Sequence, residues 1–539
     1  MTTPAKATGL RYWMLRVLEE CDHVASDFGA DPVHDLRVSL RRCRSLADGL
    51  MAMDPDPDWK AMKKAGKQLF RRLGELRDIQ VMMEWIDKLN LTQPPEDSGN
   101  PSAALSAGSF ASSEASELEH VTNLARDPAA HALLGILRHR ETEQKHEAHV
   151  ALEEFDLKQW KQWSKSLPQR AAHIRSGCPV FKHLALERWT TARELHNRAL
   201  RNRSQVAFHT LRIGIKRFRY IVENFLPAEH KAWSDDLKHM QDLLGEVHDL
   251  DVLWATALAN RVFPDGESRK RWHEHIVAER TARIEEYRQK MVGPDSLWNV
   301  WRVGLPQGRQ IEAIAMRRIK LWAKALDPDF AHSERVARLA LELYDGLGSR
   351  GLLPVLNGSE AETRSTLHLA ALLHDVGKSR GDKGHHKASL ELIRSHSTPL
   401  GWKERVLQRA AIVARFHCGA LPTRSHKNLR DLLPDEQKNI IRLAAILRLA
   451  NALDVAHDGH IRRVQIANGA LRSRAPRTNG FLRKPEALGK NEALEIAAEG
   501  YAPNSPTAQA IAAERYLLEA VLRRPVVVKV MARSRARAA

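Results

Sequence analysis

The sequence predicts a mainly α-helical protein: duplicated helical bundles, then a further all-helical domain, closed by a small mixed α/β tail. Three observations carry this. Apolar residues recur at three- and four-residue steps through most of the chain, strand-like patterning appears only beyond about residue 460, and two phrases occur twice in the same order.

The first phrase is VHDLRVSLRRCRSLADGL, Val33 to Leu50. Wound as a helix, it gathers Val33, Leu36, Leu40, Cys43, Ala47 and Leu50 on one buried stripe. His34, Arg37, Arg41 and Arg44 recur on another side, with no acid among them for i,i+4 pairing. The phrase returns as FHTLRIGIKRFRYIVENF, Phe208 to Phe225, where His209, Arg212, Lys216 and Arg219 take the places of His34, Arg37, Arg41 and Arg44. The second phrase pairs LGELRDIQVM, from Leu73, with LGEVHDLDVL, from Leu244. A solvated helix face is the ordinary reading of one basic stripe. Duplication with the charges retained argues instead for a function.

The formal charge of +18 over 539 residues exceeds what solubility requires and implies a polyanionic partner: nucleic acid, polyphosphate or an anionic membrane surface. The four cysteines, Cys21, Cys43, Cys178 and Cys418, lack metal or disulfide spacing, which suggests a reducing cytoplasm. The N-terminal residues have no apolar signal core, and no run approaches the ~18 apolar residues of a membrane span. The expectation is a cytoplasmic protein with no membrane partner.

Taken in order, residues from about Leu10 to Asn90 read as three or four amphipathic helices, broken at Gly29 to Pro32 and at Asp54 to Pro57. Lys60, Lys64, Lys67 and Arg71 form a further basic row that would reinforce the first. A Ser/Ala/Pro/Gly-rich stretch, about 92–116, reads as a flexible insert. Helical patterning then resumes and runs through the second copy to about Gln289. Two duplicated halves suggest packed bundles whose basic rows face one groove.

These paired phrases resemble the CHAD domain, an all-helical module, over roughly 9–292. The resemblance implies binding of inorganic polyphosphate through a basic groove and association with polyphosphate granules. The matching residues are His34, Arg37, Arg41, Arg44, His209, Arg212, Lys216 and Arg219. Residue chemistry independently favours polyphosphate over DNA, because rows of Arg and Lys suffice for closely spaced phosphates. Neither a base-reading helix nor aromatic stacking platforms are evident, so nucleic-acid binding is expected only as a non-specific contact. The histidines are either groove ligands or helix-cap and core residues.

From 309 to about 460 the polar residues change character. His332 shares a face with Val336, Leu339, Leu343 and Leu347. LHLAALLHDVGK ends an apolar helix in His374 and Asp375, HHKAS follows from His385, RFH ends in His417, and ILRLANALD ends in Asp454. Buried carboxylates are costly without a partner, and a divalent cation would offset that cost. Imidazole with carboxylate suits manganese, magnesium, iron or zinc.

The order H, HD, D resembles the HD phosphohydrolase superfamily, which implies His332, His374, Asp375 and Asp454 as metal ligands. His386 and His417 fall where two-metal members place additional ligands. With the late AAERYLLEAVLRRPVVV, the region from Arg309 to Val530 also resembles the C-terminal helices of the exopolyphosphatase and guanosine pentaphosphatase family. Those enzymes catalyse through an N-terminal actin-like domain, and here a CHAD-like region stands in its place, so their activity does not carry over whole. The expectation is a metal-dependent phosphohydrolase acting on polyphosphate or a related phosphorylated compound, with Asp375 and Lys378 catalytic. The alternative is a granule-associated binding protein whose HD-like region is a scaffold or nucleotide sensor. Lys378 either holds a phosphate oxygen or is a solvated loop lysine, and Arg415 and Arg448 are equally open.

The remaining 461–539 read as a small α/β tail: strands at RRVQIA, ALEIAAE and PVVVKV, a helix from Ser505 to Arg523, a basic stretch from Arg472 to Lys490 between the first two strands, and a basic terminus.

Overall fold

The structure is a computed structural model and describes residues 9–89, 127–353, 360–467 and 493–531. The expected flexible insert, the basic stretch from Arg472 to Lys490 and the basic terminus lie outside these residues. The chain divides into two compact units, 1–314 and 315–539.

The first unit opens with α1 (Leu10–Ser26), α2 (Ala30–Leu50) and α3 (Pro57–Lys88), followed by α4 (Pro128–Glu153) and α5 (Leu157–Ala171). The second copy supplies α6 (Pro179–Asn202), α7 (Gln205–Phe225), α8 (Pro227–Ala259) and α9 (Gly266–Met291), then the short α10 (Leu297–Val303). Proline opens α3, α4, α6 and α8, where its missing N–H is not needed and its fixed φ suits the first turn. The break before α2 comes earlier than the sequence suggests, because Pro32 is accommodated inside the first turn for the same reason.

The helices of each copy pack on their neighbours in sequence, except that α5 folds back against α1 and α3, and the copies meet through α2 against α7 and α3 against α8. The expected stripe is buried: Val33, Leu36, Leu40, Cys43, Ala47 and Leu50 are all inside. At one close approach, Gly49 lies where a Cβ would enter the ring of Phe225 from the other copy.

Helix α11 (Arg309–Leu326) leads into the second unit, with α12 (Phe330–Ser349), α13 (Glu360–Leu373), a 3₁₀ turn (Val376–Arg380), α14 (His385–Ser395), α15 (Glu404–Arg415), α16 (Lys427–Arg430) and α17 (Pro434–Leu453). Leu443 to Ala450 of α17 are buried on every side, which makes it the central helix. The tail is a three-stranded sheet in order β1 (Arg463–Ile466), β2 (Leu494–Glu499), β3 (Val526–Val530). Strand β1 is antiparallel to β2, with Arg463 opposite Glu499, and β3 is parallel to β2, with Val526 beside Leu494. The parallel pair needs a crossover, supplied by α18 (Pro506–Glu514) and α19 (Tyr516–Leu522). The single helix expected here divides at Arg515, whose guanidinium donates to the Val526 carbonyl at 3.0 Å. Ile466 packs onto α12 at Gly346, where a Cβ would come within 2.7 Å of it. Among the described residues no helix is long and apolar enough to cross a membrane.

Candidate functional site

Two constellations stand out, one in each unit. The first is a groove of about 870 Å³ where α2, α3, α6 and α7 come together. Among the described residues it is lined by nine basic side chains: Arg41, Arg44, Lys60, Lys63, Lys64, Lys67, Arg188, Lys216 and Arg217. The one acid among these lining residues is Asp48, and Lys63 already pairs with it. The remaining cations face one another, held by packing of the opposite helix faces.

Aromatic rings and glycines set the guanidinium positions. Phe70 lies under both Arg37 and Arg44, 4.6 and 5.1 Å from ring centroid to guanidinium carbon. Gly74, in the doubled phrase, leaves the space Arg37 occupies: a Cβ there would sit 2.8 Å from its Nη1. Its counterpart Gly245 lies against Arg212, where a Cβ would be 3.9 Å from Nε. In both copies the glycine of this phrase faces the arginine of the other, closely at Gly74 and with room to spare at Gly245.

Among the described residues, the buried atoms Arg37 Nη1, Arg41 Nε, Arg44 Nε and Arg212 Nε have no hydrogen-bond partner. Each such orphaned donor costs about 1–3 kcal/mol. Burial, opposed by Asp78 and aided by Arg41, Arg77 and Arg212, pushes Arg37 down to about 10. Burial first, then Arg212, Arg41 and Arg37, push the Lys216 ammonium down to about 7, with Asp249 opposing. Asp78 and Asp249, equivalent positions of the doubled phrase, are both raised by burial against the pull of Arg212 and Lys216.

Of the other expected groove residues, Arg37 and Arg212 do not line the groove but stand near enough to Lys216 to lower it. Burial and neighbouring cations lower His34 and His209, and His209 Nδ1 lies 3.3 Å from His248 Nδ1. The shift disfavours their charged forms. Arg219 turns toward Glu223, 3.9 Å away, and Arg71 lines an adjoining concavity with Lys64 and Lys67. Arg217 and Arg188 take groove positions instead. Arg217 had a signal, its place in the repeat; Arg188 had none.

The second constellation is a buried cluster at helix ends in the second unit. His374 follows α13, Asp375 begins the 3₁₀ turn, His385 begins α14 and His417 follows α15. His374, His385 and His417 each bond through Nδ1 to the carbonyl three residues back, Ala371, Asp382 and Ala414, at 2.8, 2.8 and 2.7 Å. A carbonyl can only accept, so each Nδ1 carries a proton, and in the neutral ring Nε2 presents the lone pair. His385 Nε2 and His417 Nε2 are 3.0 Å apart, and Asp375 Oδ1 lies 3.4 and 3.5 Å from them. His374 Nε2 has no hydrogen-bond partner among the described residues and lies 3.4 Å from Asp375 Oδ2.

Buried lone pairs converging on a carboxylate are the donor set of a divalent cation, and the residues present fit one. Cys418 Sγ adds a further donor 3.8 Å from His385 Nε2. Although burial alone would raise Asp375, His374, His417 and Lys378 hold it well below the usual carboxylate range.

His332 and Asp454 form the neighbouring end. His332 Nδ1 is 2.7 Å from Asp454 Oδ2 and its Nε2 is 2.9 Å from Asn451 Oδ1. Asp454 also accepts from Arg335 Nε at 2.8 Å and from the Gly459 amide at 3.1 Å. One ligand atom each of His332, His374 and Asp375 lie within 4.8 Å of one another, as do those of His385, His417 and Cys418. Of the adjacent pair in HHKAS, His385 stands beside Asp375, while the His386 ring is centred 6.5 Å from that of His417. Lys378 Nζ is 2.6 Å from Asp375 Oδ2. Arg448 is buried and braces the His417 loop, donating to the Phe416 and Gly419 carbonyls at 3.1 and 3.2 Å.

Local chemistry explains the motif. Ser389 Oγ donates to the His374 carbonyl at 2.6 Å and accepts from the Gly377 amide at 2.9 Å, joining HHKAS to HDVGK. Gly377 is required by that approach, since a Cβ would lie 2.0 Å from the His385 carbonyl oxygen.

Compared with known families, residues 14–258 match the CHAD domain and residues 314–495 match Ppx/GppA phosphatase, domain III. No curated protein matches the chain. The polypeptide thus joins a CHAD domain to a Ppx/GppA domain III, the two modules that its paired phrases and its HHKAS, RFH, ILRLANALD and AAERYLLEAVLRRPVVV segments resemble. The CHAD match ends before α9 and α10, and the domain III match ends within β2.

Proposed function

Starting from a CHAD domain joined to a Ppx/GppA domain III, we propose that the protein binds inorganic polyphosphate in its groove and hydrolyses polyphosphate or a related phosphorylated compound at its His/Asp cluster. The single observation that carries the binding reading is the groove's nine basic side chains, contributed by both copies, against one lining acid; two of them, Arg41 and Arg44, carry a buried Nε with no partner among the described residues. A polyphosphate chain supplies acceptor oxygens along its whole length and satisfies such donors without any base readout. Location in the cytoplasm, at polyphosphate granules, follows from that ligand and is part of the proposal.

In the second unit, His374, Asp375, His385 and His417 would hold a divalent ion, with His332 and Asp454 at the adjoining end. When bound, the ion supplies Lewis acidity toward a phosphoryl oxygen and lowers the pKa of water. Asp375 anchors the site between imidazoles, and Lys378 offers an ammonium to which a phosphate oxygen can bind in competition with that carboxylate.

The assay is phosphate release from polyphosphate and from nucleotides, with manganese or magnesium, by protein whose metal content has been measured. No release from any substrate by metal-loaded protein removes the enzyme reading. One observation favours the alternative of a binding protein with a scaffold or nucleotide-sensing domain: Lys378 and Arg335 already neutralise Asp375 and Asp454. In that case Asp375→Ala leaves cellular phosphate handling unchanged, while charge reversal at Arg37 and Arg212 abolishes granule association.

A further inference from the structure

We infer that Cys418 is a metal ligand, completing with His385, His417 and Asp375 a sulfur-containing position for a borderline-soft ion of the zinc type. This rests on the metal reading above and goes beyond it by naming a thiolate and the class of ion it selects.

Three features of the site carry the inference. First, His385 Nε2 and His417 Nε2 are 3.0 Å apart with both protons on the far ring nitrogens. Two lone pairs at that distance repel, and a cation between them converts the repulsion into two bonds. Second, the distances lie within a few tenths of an ångström of those around one small ion. Ligands about 2.0–2.3 Å from a tetrahedral ion stand roughly 3.3–3.6 Å from one another. Here the separations are 3.0 Å between the imidazole nitrogens, 3.4 and 3.5 Å from them to Asp375 Oδ1, and 3.8 Å from Cys418 Sγ to His385 Nε2.

Third, the cysteine is held in place. Arg448 grips the carbonyls on either side of His417 and Cys418, and Glu514 fixes its Nε at 2.6 Å. Gly419, with φ of +70°, turns the chain away directly after the thiol. Such bracing is what holds a ligand where an ion can use it. A set of two imidazoles, one thiolate and one carboxylate oxygen favours zinc over magnesium or manganese, which prefer oxygen donors. His332, His374 and Asp375 form the harder, sulfur-free neighbour.

The test uses the full-length protein, stripped with chelator and loaded with cobalt(II) as a spectroscopic probe. The expected result is a strong sulfur-to-cobalt charge-transfer absorption in the near ultraviolet. Cys418→Ser removes it and weakens zinc binding at least about tenfold, while Cys178→Ser leaves both unchanged. In the wild-type protein zinc also shields Cys418 from iodoacetamide, read by mass spectrometry, and this arm requires no variant to fold. Cobalt binding without that absorption, its survival in Cys418→Ser, or equal alkylation with and without zinc overturns the thiolate ligand and leaves the metal reading standing. Failure to bind cobalt or zinc at all overturns both.

Discussion

The groove and the His/Asp cluster treat charge in opposite ways. In the groove, like charges from both copies are crowded together, and Arg41 and Arg44 keep a buried Nε without an acceptor among the described residues. In the cluster, each carboxylate is already matched by imidazole, ammonium or guanidinium. The difference teaches what each can receive. The groove sets nine basic side chains against one acid and suits an anion; the cluster offers lone pairs at a point and suits a cation. The first is built from helix faces, where spacing along the sequence decides which side chains meet. The second is built from helix ends, where the tertiary fold decides.

Charge reversal bears most heavily on this contrast. Arg37→Glu with Arg212→Glu should weaken polyphosphate binding about 100-fold or more, since each charged hydrogen bond contributes roughly 1.5–3 kcal/mol. Metal content, measured by elemental analysis on the same protein, should stay constant. Loss of both would show that the two regions are not independent.

Next in size is Gly377→Ala. Its Cβ would collide with backbone atoms, the His385 oxygen at 2.0 Å and the Ser389 nitrogen at 2.5 Å, and neither can swing away. A loss of about 1–3 kcal/mol in stability is expected in denaturant unfolding, together with loss of metal binding.

A smaller effect concerns pH. With Lys216 at about 7, the free groove loses that charge as pH rises through 7, and binding an anion must then take up a proton. The groups facing it are Arg37, Arg41, Arg212 and Asp249. Polyphosphate affinity should therefore be full below pH 7 and fall by up to about tenfold per unit above it. Lys216→Arg should flatten the profile, and an unchanged slope in that variant would assign the proton elsewhere. Smallest of all is Gly74→Ala. Its Cβ meets only the tip of Arg37, so stability should change by less than about 1 kcal/mol while polyphosphate binding weakens severalfold. Gly245→Ala, with 3.9 Å of room, should do neither.

How much was legible follows the same division. The apolar stripe of α2 and the basic face beside it could be read directly from three- and four-residue spacing, because a helix face is a property of the local chain. Arg219 shows a signal overlooked: Glu223 stands one turn further on and draws it away from the groove. Arg188 enters from a helix with no repeated phrase, and only packing brings it there. In HHKAS the family pattern favours His386, yet His385, Ser389 and Ile393 recur at four-residue steps on one inward face, and Ser389 and Ile393 are buried. That periodicity was available in the sequence and marks His385, rather than His386, as the residue on the inward face. The thiol of Cys418 had no spacing signal as a donor: it adjoins His417 in the chain, but His385 reaches it only through the fold.

The most direct test of the central claim is calorimetric titration of the full-length protein with long-chain polyphosphate and with duplex DNA at matched salt, repeated after Arg41→Ala with Arg44→Ala. The account predicts tighter binding of polyphosphate than of DNA, and a loss of that preference when the two orphaned guanidinium groups are removed. Equal affinity for the two polyanions, or a preference that survives the double substitution, would contradict it.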